Sequence, residues 1–70
     1  MSTWEEVFKK INGAVERGLK RKGFVEYVEV TEDQWSILMA YPDFKRQADI
    51  GNANFGGYKV KKGKKLRAYS

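Results

Sequence analysis

The sequence predicts an α+β fold with one N-terminal amphipathic helix packed on a three- to four-stranded antiparallel β-sheet. Three observations lead to this prediction. Apolar residues recur at helical spacing over residues 3–22, runs rich in β-branched and aromatic residues follow, and the last two runs flank a glycine. With 70 residues, the chain is expected to form a single small domain, residues 1–70, whose stability margin is thin.

The helix is predicted over residues 3–22 from an apolar stripe and from signals at both ends. The stripe has spacings of four, three, four and four residues, and its members are Trp4, Phe8, Ile11, Val15 and Leu19. Ser2 or Thr3 can act as N-cap in a capping box, and Gly23 is a typical left-handed stop. Either the helix breaks at Asn12 and Gly13, or the small residues Ala14 and Gly18 let another element approach closely. One continuous helix is preferred.

Four strands are predicted after the helix, at about residues 24–30, 35–41, 55–61 and 65–69. The second of them has an alternative. Alternate positions from Trp35 to Tyr41 are large and apolar, which is typical of the return arm of a hairpin. Thr31 and Gln34 can instead form a capping box that starts a helix ended by Pro42. The strand is favoured because a strong strand leads directly into this segment.

Residues 58–69 are the most distinctive part of the chain. They contain no anion and six cations: Lys59, Lys61, Lys62, Lys64, Lys65 and Arg67. Short alternating runs flank Gly63, so the pattern predicts a β-hairpin that turns there and shows lysine to solvent on both arms. Residues 45–57 are polar and predict a loop or a ragged edge strand, in which Gly56 and Gly57 bend the chain into the hairpin.

Charge is segregated along the chain, whose formal net charge is +5. Residues 1–22 carry six cations and three anions, residues 23–44 five anions and no cation, and residues 45–70 eight cations and one anion. Blocks of opposite sign tend to lie together in a fold. The carboxylates of the middle block can therefore neutralise part of the basic excess before it meets a partner.

The absence of histidine and cysteine excludes several kinds of chemistry. Serine–histidine and cysteine–histidine mechanisms, disulfides and thiolate metal sites cannot form. A carboxylate metal site is not expected either, because Asp43 and Asp49 flank a loop and Glu26 and Glu29 cannot point the same way on a strand. The sequence predicts a protein that is not an enzyme and uses no cofactor, metal or small-molecule substrate.

The opening of the chain resembles that of small domains with a double-stranded-RNA-binding-like fold, among them toxin ribonucleases. The resemblance covers the helix, Gly23, Phe24 and the strand that follows. Those toxins need a histidine after the first strands, and this chain has none. The resemblance therefore implies no activity and no site residue here.

No membrane association is expected from the sequence. The chain has no apolar run near the roughly 18 residues that span a bilayer. It also lacks the charged and then apolar N-terminus of a signal peptide. The expected location is cytoplasmic.

The favoured function is sequence-independent binding of nucleic acid. The six cations of residues 58–69 would contact phosphates, and Tyr58 or Tyr69 would stack on unpaired bases. Lys45 and Arg46, or residues 20–22, extend this surface if the fold brings them to the same side. Six cations on one hairpin also exceed what solubility requires.

Two further roles for the basic segment stay open. One is that of a small accessory or inhibitor protein, of the type that a virus or mobile element encodes. It would bind an acidic surface of a larger protein through the same hairpin and the 45–57 segment. In the other, lysines on exposed strands serve only to discourage edge-to-edge aggregation.

Overall fold

The α+β fold is confirmed by a computed structural model that describes residues 3–70. The helices are α1 (Trp4–Lys22), α2 (Glu32–Met39) and α3 (Pro42–Asp49). The strands are β1 (Tyr27–Val30), β2 (Asn54–Phe55), β3 (Tyr58–Lys62) and β4 (Arg67–Tyr69), and they form one mixed sheet. Over the described residues, no helix combines the length and the apolar character that crossing a membrane requires.

Helix α1 forms where the sequence predicts it, and both of its ends are capped. The Oγ1 atom of Thr3 accepts a hydrogen bond from the N–H of Glu6 at 3.3 Å. Gly23 ends the helix in the left-handed conformation, with φ 81°, which glycine adopts without a steric penalty. Ser2, the alternative N-cap, lies outside the described residues.

The buried stripe of α1 is rotated relative to the predicted one. Its members are Val7, Ile11, Ala14, Val15 and Gly18, whereas Trp4 and Leu19 are each 38% exposed. A Cβ atom on Gly18 would lie 2.9 Å from Val25 Cγ2 and 3.1 Å from Ala68 Cβ. The helix can therefore approach β4 closely because this position has no side chain. The predicted continuous helix is confirmed, and of the two alternatives the close approach at Ala14 and Gly18 is the one found.

The predicted strand at residues 35–41 is wrong, because this segment belongs to α2 and to the turn that follows it. The capping box decides the structure: the N–H of Gln34 donates to Thr31 Oγ1 at 3.1 Å, and the N–H of Thr31 donates to Gln34 Oε1 at 2.9 Å. The helix ends at Met39, and Pro42 begins α3. Proline suits the first turn of a helix, whose N–H groups have no intrahelical partner.

The predicted loop at 45–57 is also only partly correct. Its first residues complete α3, and Asn54–Phe55 form the short strand β2. Gly56 and Gly57 join β2 to β3 with φ values of 59° and 89°. A two-residue turn with both φ values positive matches the twist of a hairpin, and glycine adopts it readily. The expected bend at these glycines is therefore confirmed.

The strand order β2-β3-β1-β4 contradicts the predicted hairpin. Strands β3 and β4 do not pair with each other, because β1 lies between them, parallel to β3 and antiparallel to β4. The sheet is thus mixed, not wholly antiparallel. Residues 63–66, the crossing segment, pass the end of β1 instead of making a tight turn at Gly63. Strand β1 takes the central position because Val28 and Val30 are fully buried.

The strands are also shorter than predicted. Strand β1 begins at Tyr27 and not at Phe24, whose surface is 57% exposed. The core lies between the three helices and one face of the sheet. Its buried members are Val7, Ile11, Ala14, Val15, Val28, Val30, Leu38, Phe44, Val60 and Ala68. All the buried strand residues point to this side, so the helices occupy a single face.

Candidate nucleic-acid interface

The face of the sheet opposite the helices is exposed and carries most of the distinctive side chains. Successive residues of a strand point to opposite faces, and Val28, Val60 and Ala68 point into the core. Across β1, β3 and β4, the strand register therefore places six side chains on the outer side, which we name the open face: Tyr27, Glu29, Lys59, Lys61, Arg67 and Tyr69.

Two tyrosines form the centre of the open face. Tyr27 and Tyr69 are cross-strand partners, and their rings stack with centroids 5.0 Å apart and an interplanar angle of 19°. The Nζ atom of Lys61 lies 4.4 Å from the Tyr27 ring centroid, and the Cζ atom of Arg67 lies 5.6 Å from that of Tyr69. Both distances are within the range of cation–π attraction. The result is a pair of aromatic rings with a cation beside each.

Glu29 is the carboxylate of the open face, and it binds backbone atoms of the crossing segment. Its Oε2 atom accepts hydrogen bonds from the N–H of Lys64 at 2.9 Å and of Lys65 at 3.2 Å. These bonds, with that from Lys65 the stronger influence, hold the pKa of Glu29 below its ordinary value. A Cβ atom on Gly63 would overlap the Glu29 carboxyl group. Glycine is thus present here because the carboxylate needs the space, and not for a turn.

A groove with a cavity volume of about 300 Å³ runs between α1 and β4. Its charged lining consists of Arg17, Arg21, Lys65 and Arg67; we name it the β4 groove. Arg21 Nη2 donates to the Ala68 carbonyl at 3.2 Å, which holds the guanidinium group against the strand. An adjoining cleft of about 240 Å³ adds Lys22 and Tyr69. The β4 groove and the open face therefore meet at β4.

The basic excess around β4 is not neutralised by direct ion pairs. Two ion pairs occur within residues 3–70, Lys45 with Asp49 at 3.0 Å and Arg46 with Asp43, and both lie on α3. The six cations of residues 58–69 have no such partner in this part of the chain. The acidic middle block thus forms no ion pair with them, although its Glu29 attracts Lys65 without a direct contact between the charged groups.

The structure does not bring all the predicted site residues together. Lys45 and Arg46 lie on α3, which packs on the opposite face of the sheet through Phe44. Lys62 also points to the helix side, with its Nζ atom 5.7 Å from the Trp35 ring centroid. Tyr58 packs against the core. Those brought to the open face or the β4 groove are Lys59, Lys61, Lys65, Arg67 and Tyr69. Lys64 lies in the crossing segment, where its N–H donates to Glu29.

Two residues of the interface were not predicted. Tyr27 could have been predicted, because successive strand residues point to opposite faces and its neighbour in β1, Val28, is buried. Arg17 lies one helical turn before Arg21, so that both side chains fall on one side of α1. This side of α1 borders β4 through a tertiary contact, and no local sequence pattern indicates that contact. The possible extension by residues 20–22 is realised in part, through Arg21 and Lys22.

Among residues 3–70, no cluster of three or more acidic residues could hold a metal ion. A comparison of the chain with known protein families, curated proteins and solved structures found no match. The geometry and charge of the open face and the β4 groove are thus the basis for a function.

Proposed function

We propose that the protein is a non-enzymatic, cytoplasmic protein that binds nucleic acid without reading its sequence. The contact surfaces are the open face and the β4 groove. The observation that supports this most is the group of cations around β4 that pair with no carboxylate within the described part of the chain. Such a surface suits a polyanion, because phosphates supply the charges that the fold itself does not.

The two surfaces differ in the contacts they offer to phosphates. The open face presents Lys59 and Lys61, which act as point charges and do not discriminate between sequences. The β4 groove presents three guanidinium groups, which can each hold two phosphate oxygens. Every phosphate that is neutralised releases counterions, so the affinity falls as the salt concentration rises.

The negative charge of Glu29 on the open face opposes the binding of a polyanion, but its hydrogen bonds reduce this effect. Its carboxylate accepts two backbone hydrogen bonds at the crossing segment, which spread its charge over the peptide groups. Six cations line the two surfaces against this one carboxylate: Arg17, Arg21, Lys59, Lys61, Lys65 and Arg67. The field at β4 therefore stays positive.

The proposal is tested by fluorescence anisotropy with labelled single- and double-stranded oligonucleotides of unrelated sequences. We expect binding that weakens strongly between about 50 and about 200 mM salt and varies little with sequence. The double variant Lys59→Gln/Lys61→Gln should weaken binding and lower the salt slope, by about 0.7 per lost contact for a single strand and about 0.9 for a duplex.

The matched control is Lys45→Gln/Arg46→Gln, which removes the same charge from α3 on the other side of the sheet. It should leave the affinity and the salt slope unchanged, because both side chains already have carboxylate partners. Equal losses in the two double variants, or no binding at low salt to any oligonucleotide, would show that the proposal is wrong.

The second candidate, an accessory protein that binds a larger protein, is supported by Ile50. This side chain is 76% exposed at the end of α3, within the segment expected to contact a partner. Contiguous apolar patches mark protein contacts, and Ile50 by itself supplies only one side chain of such a patch. Under this alternative, a stoichiometric protein partner is retained from lysate after nuclease treatment and is lost in Ile50→Ser.

A further inference from the structure

We infer that the nucleic acid bound is single-stranded, with an unpaired base on the Tyr27–Tyr69 pair and its phosphates in the β4 groove. This inference rests on the proposed function and adds the class of nucleic acid. It depends on three features: the position of the two rings on the open face, their location outside the hydrophobic core, and the cations that share a cleft with Tyr69.

The tyrosine pair is not part of the hydrophobic core. Tyr41 and Tyr58 pack against the core, whereas Tyr27 and Tyr69 contact each other on the open face and are only partly buried. Each ring contacts the other ring and has one solvent-exposed cation beside it, Lys61 or Arg67, so a base that stacks on the pair takes the place of one of these cations. Bases of any identity can stack on such a surface, which fits binding without sequence preference.

The position of Tyr69 connects the rings to the phosphate-binding cations. Strand β4 is an edge strand, so Tyr69 has Tyr27 on one side and the border of the sheet on the other. At that border it lines one cleft together with Arg21, Lys22 and Arg67. A nucleotide likewise carries its base and its phosphate on opposite sides of one sugar. An aromatic ring beside guanidinium groups therefore matches the chemistry of a single nucleotide unit.

Base pairing is the reason why this arrangement favours a single strand over a duplex. In a duplex both faces of each base are covered by the neighbouring bases, so stacking on a side chain requires the base to be extruded. An unpaired base has no such requirement, and sequence-independent binders of single strands combine aromatic rings with a basic groove. The open face and the β4 groove supply these two components side by side.

The test compares the dissociation constants for a thymidine oligonucleotide of about 16 residues and for a duplex of equal length. At low salt, the single strand should bind at least about tenfold more tightly. Tyr69→Leu should weaken single-strand binding by about tenfold, the effect of losing one stacked base. Duplex binding should weaken much less, and both salt slopes should stay unchanged because the substitution removes no charge. Tyr69→Phe keeps the ring and should keep the affinity.

A second readout uses the unmodified protein, so that it does not depend on the folding of a variant. Titration with the single strand should shift the ring proton resonances of Tyr27 and Tyr69 upfield, because a stacked base shields them. Salt-sensitive binding with equal affinity for duplex and single strand, or with unshifted tyrosine resonances, would overturn this inference alone. Absence of binding to both probes would overturn the proposed function as well.

Discussion

At the scale of single residues, Glu29 links the fold to the candidate interface. Its carboxylate holds the N–H groups of Lys64 and Lys65, and Gly63 leaves the space that it occupies. The crossing segment, and with it the position of Lys65 in the β4 groove, therefore depends on one side chain. This structural role of Glu29 explains why an acidic residue lies within a basic surface.

The pH dependence of stability should show the contribution of Glu29. Since its pKa is lower in the folded state, ionised Glu29 stabilises the fold above its unfolded pKa. This contribution is lost as the pH falls through the folded pKa. The melting temperature should therefore fall more steeply on acidification for the wild type than for Glu29→Gln. Glu26→Gln, a change at an exposed carboxylate nearby, is the control and should follow the wild type. Parallel curves for wild type and Glu29→Gln would contradict this assignment.

At the scale of elements, the start of α2 depends on Thr31. Both hydrogen bonds of the capping box join Thr31 to Gln34, and the helix has only eight residues. Thr31→Ala is expected to lower the free energy of unfolding by about 1 kcal/mol, whereas Thr31→Ser should keep most of it. Urea unfolding monitored by circular dichroism measures the difference. An equal loss in both variants would show that the hydroxyl group is not responsible.

The same element shows why local patterns predicted part of the fold and not all of it. Trp35, Ile37 and Met39 alternate as in a strand, but Leu38 between them is also apolar and is fully buried. Because both odd-numbered and even-numbered positions are apolar, the run does not distinguish the two-residue period of a strand from the 3.6-residue period of a helix. The capping box carried the deciding information. The caps of α1 were predictable for the same reason, since they depend on neighbouring residues only.

Such local patterns could not predict which strands pair with each other. The positions of β3 and β4 were predicted approximately, but their partner β1 lies far away in the chain. Which strand takes the centre depends on the burial of Val28 and Val30 against the helices, and this is a tertiary property. For the interface, the basic residues were visible in the sequence. Their division between the two sides of the sheet was not.

At the scale of the whole molecule, unpaired cations on one side cost stability through mutual repulsion. Raising the salt from about 0.01 to about 0.1 M shortens the screening length from about 30 to about 10 Å. The melting temperature should therefore rise over this range. Lys59→Gln/Lys61→Gln should flatten the rise, and Lys45→Gln/Arg46→Gln should not, because those two cations are paired. A melting temperature that falls or stays constant as salt is added would contradict a repulsive surface at β4.

The central position of β1 also determines when this protein can fold during its synthesis. Tyr27 pairs with Lys59 on one side and with Tyr69 on the other. While the ribosome is still making those later residues, both edges of β1 lack partners and the valines behind it lack a closed sheet. Contacts that distant in the chain form late and together. The four-stranded sheet therefore cannot be completed until Tyr69 has left the exit tunnel.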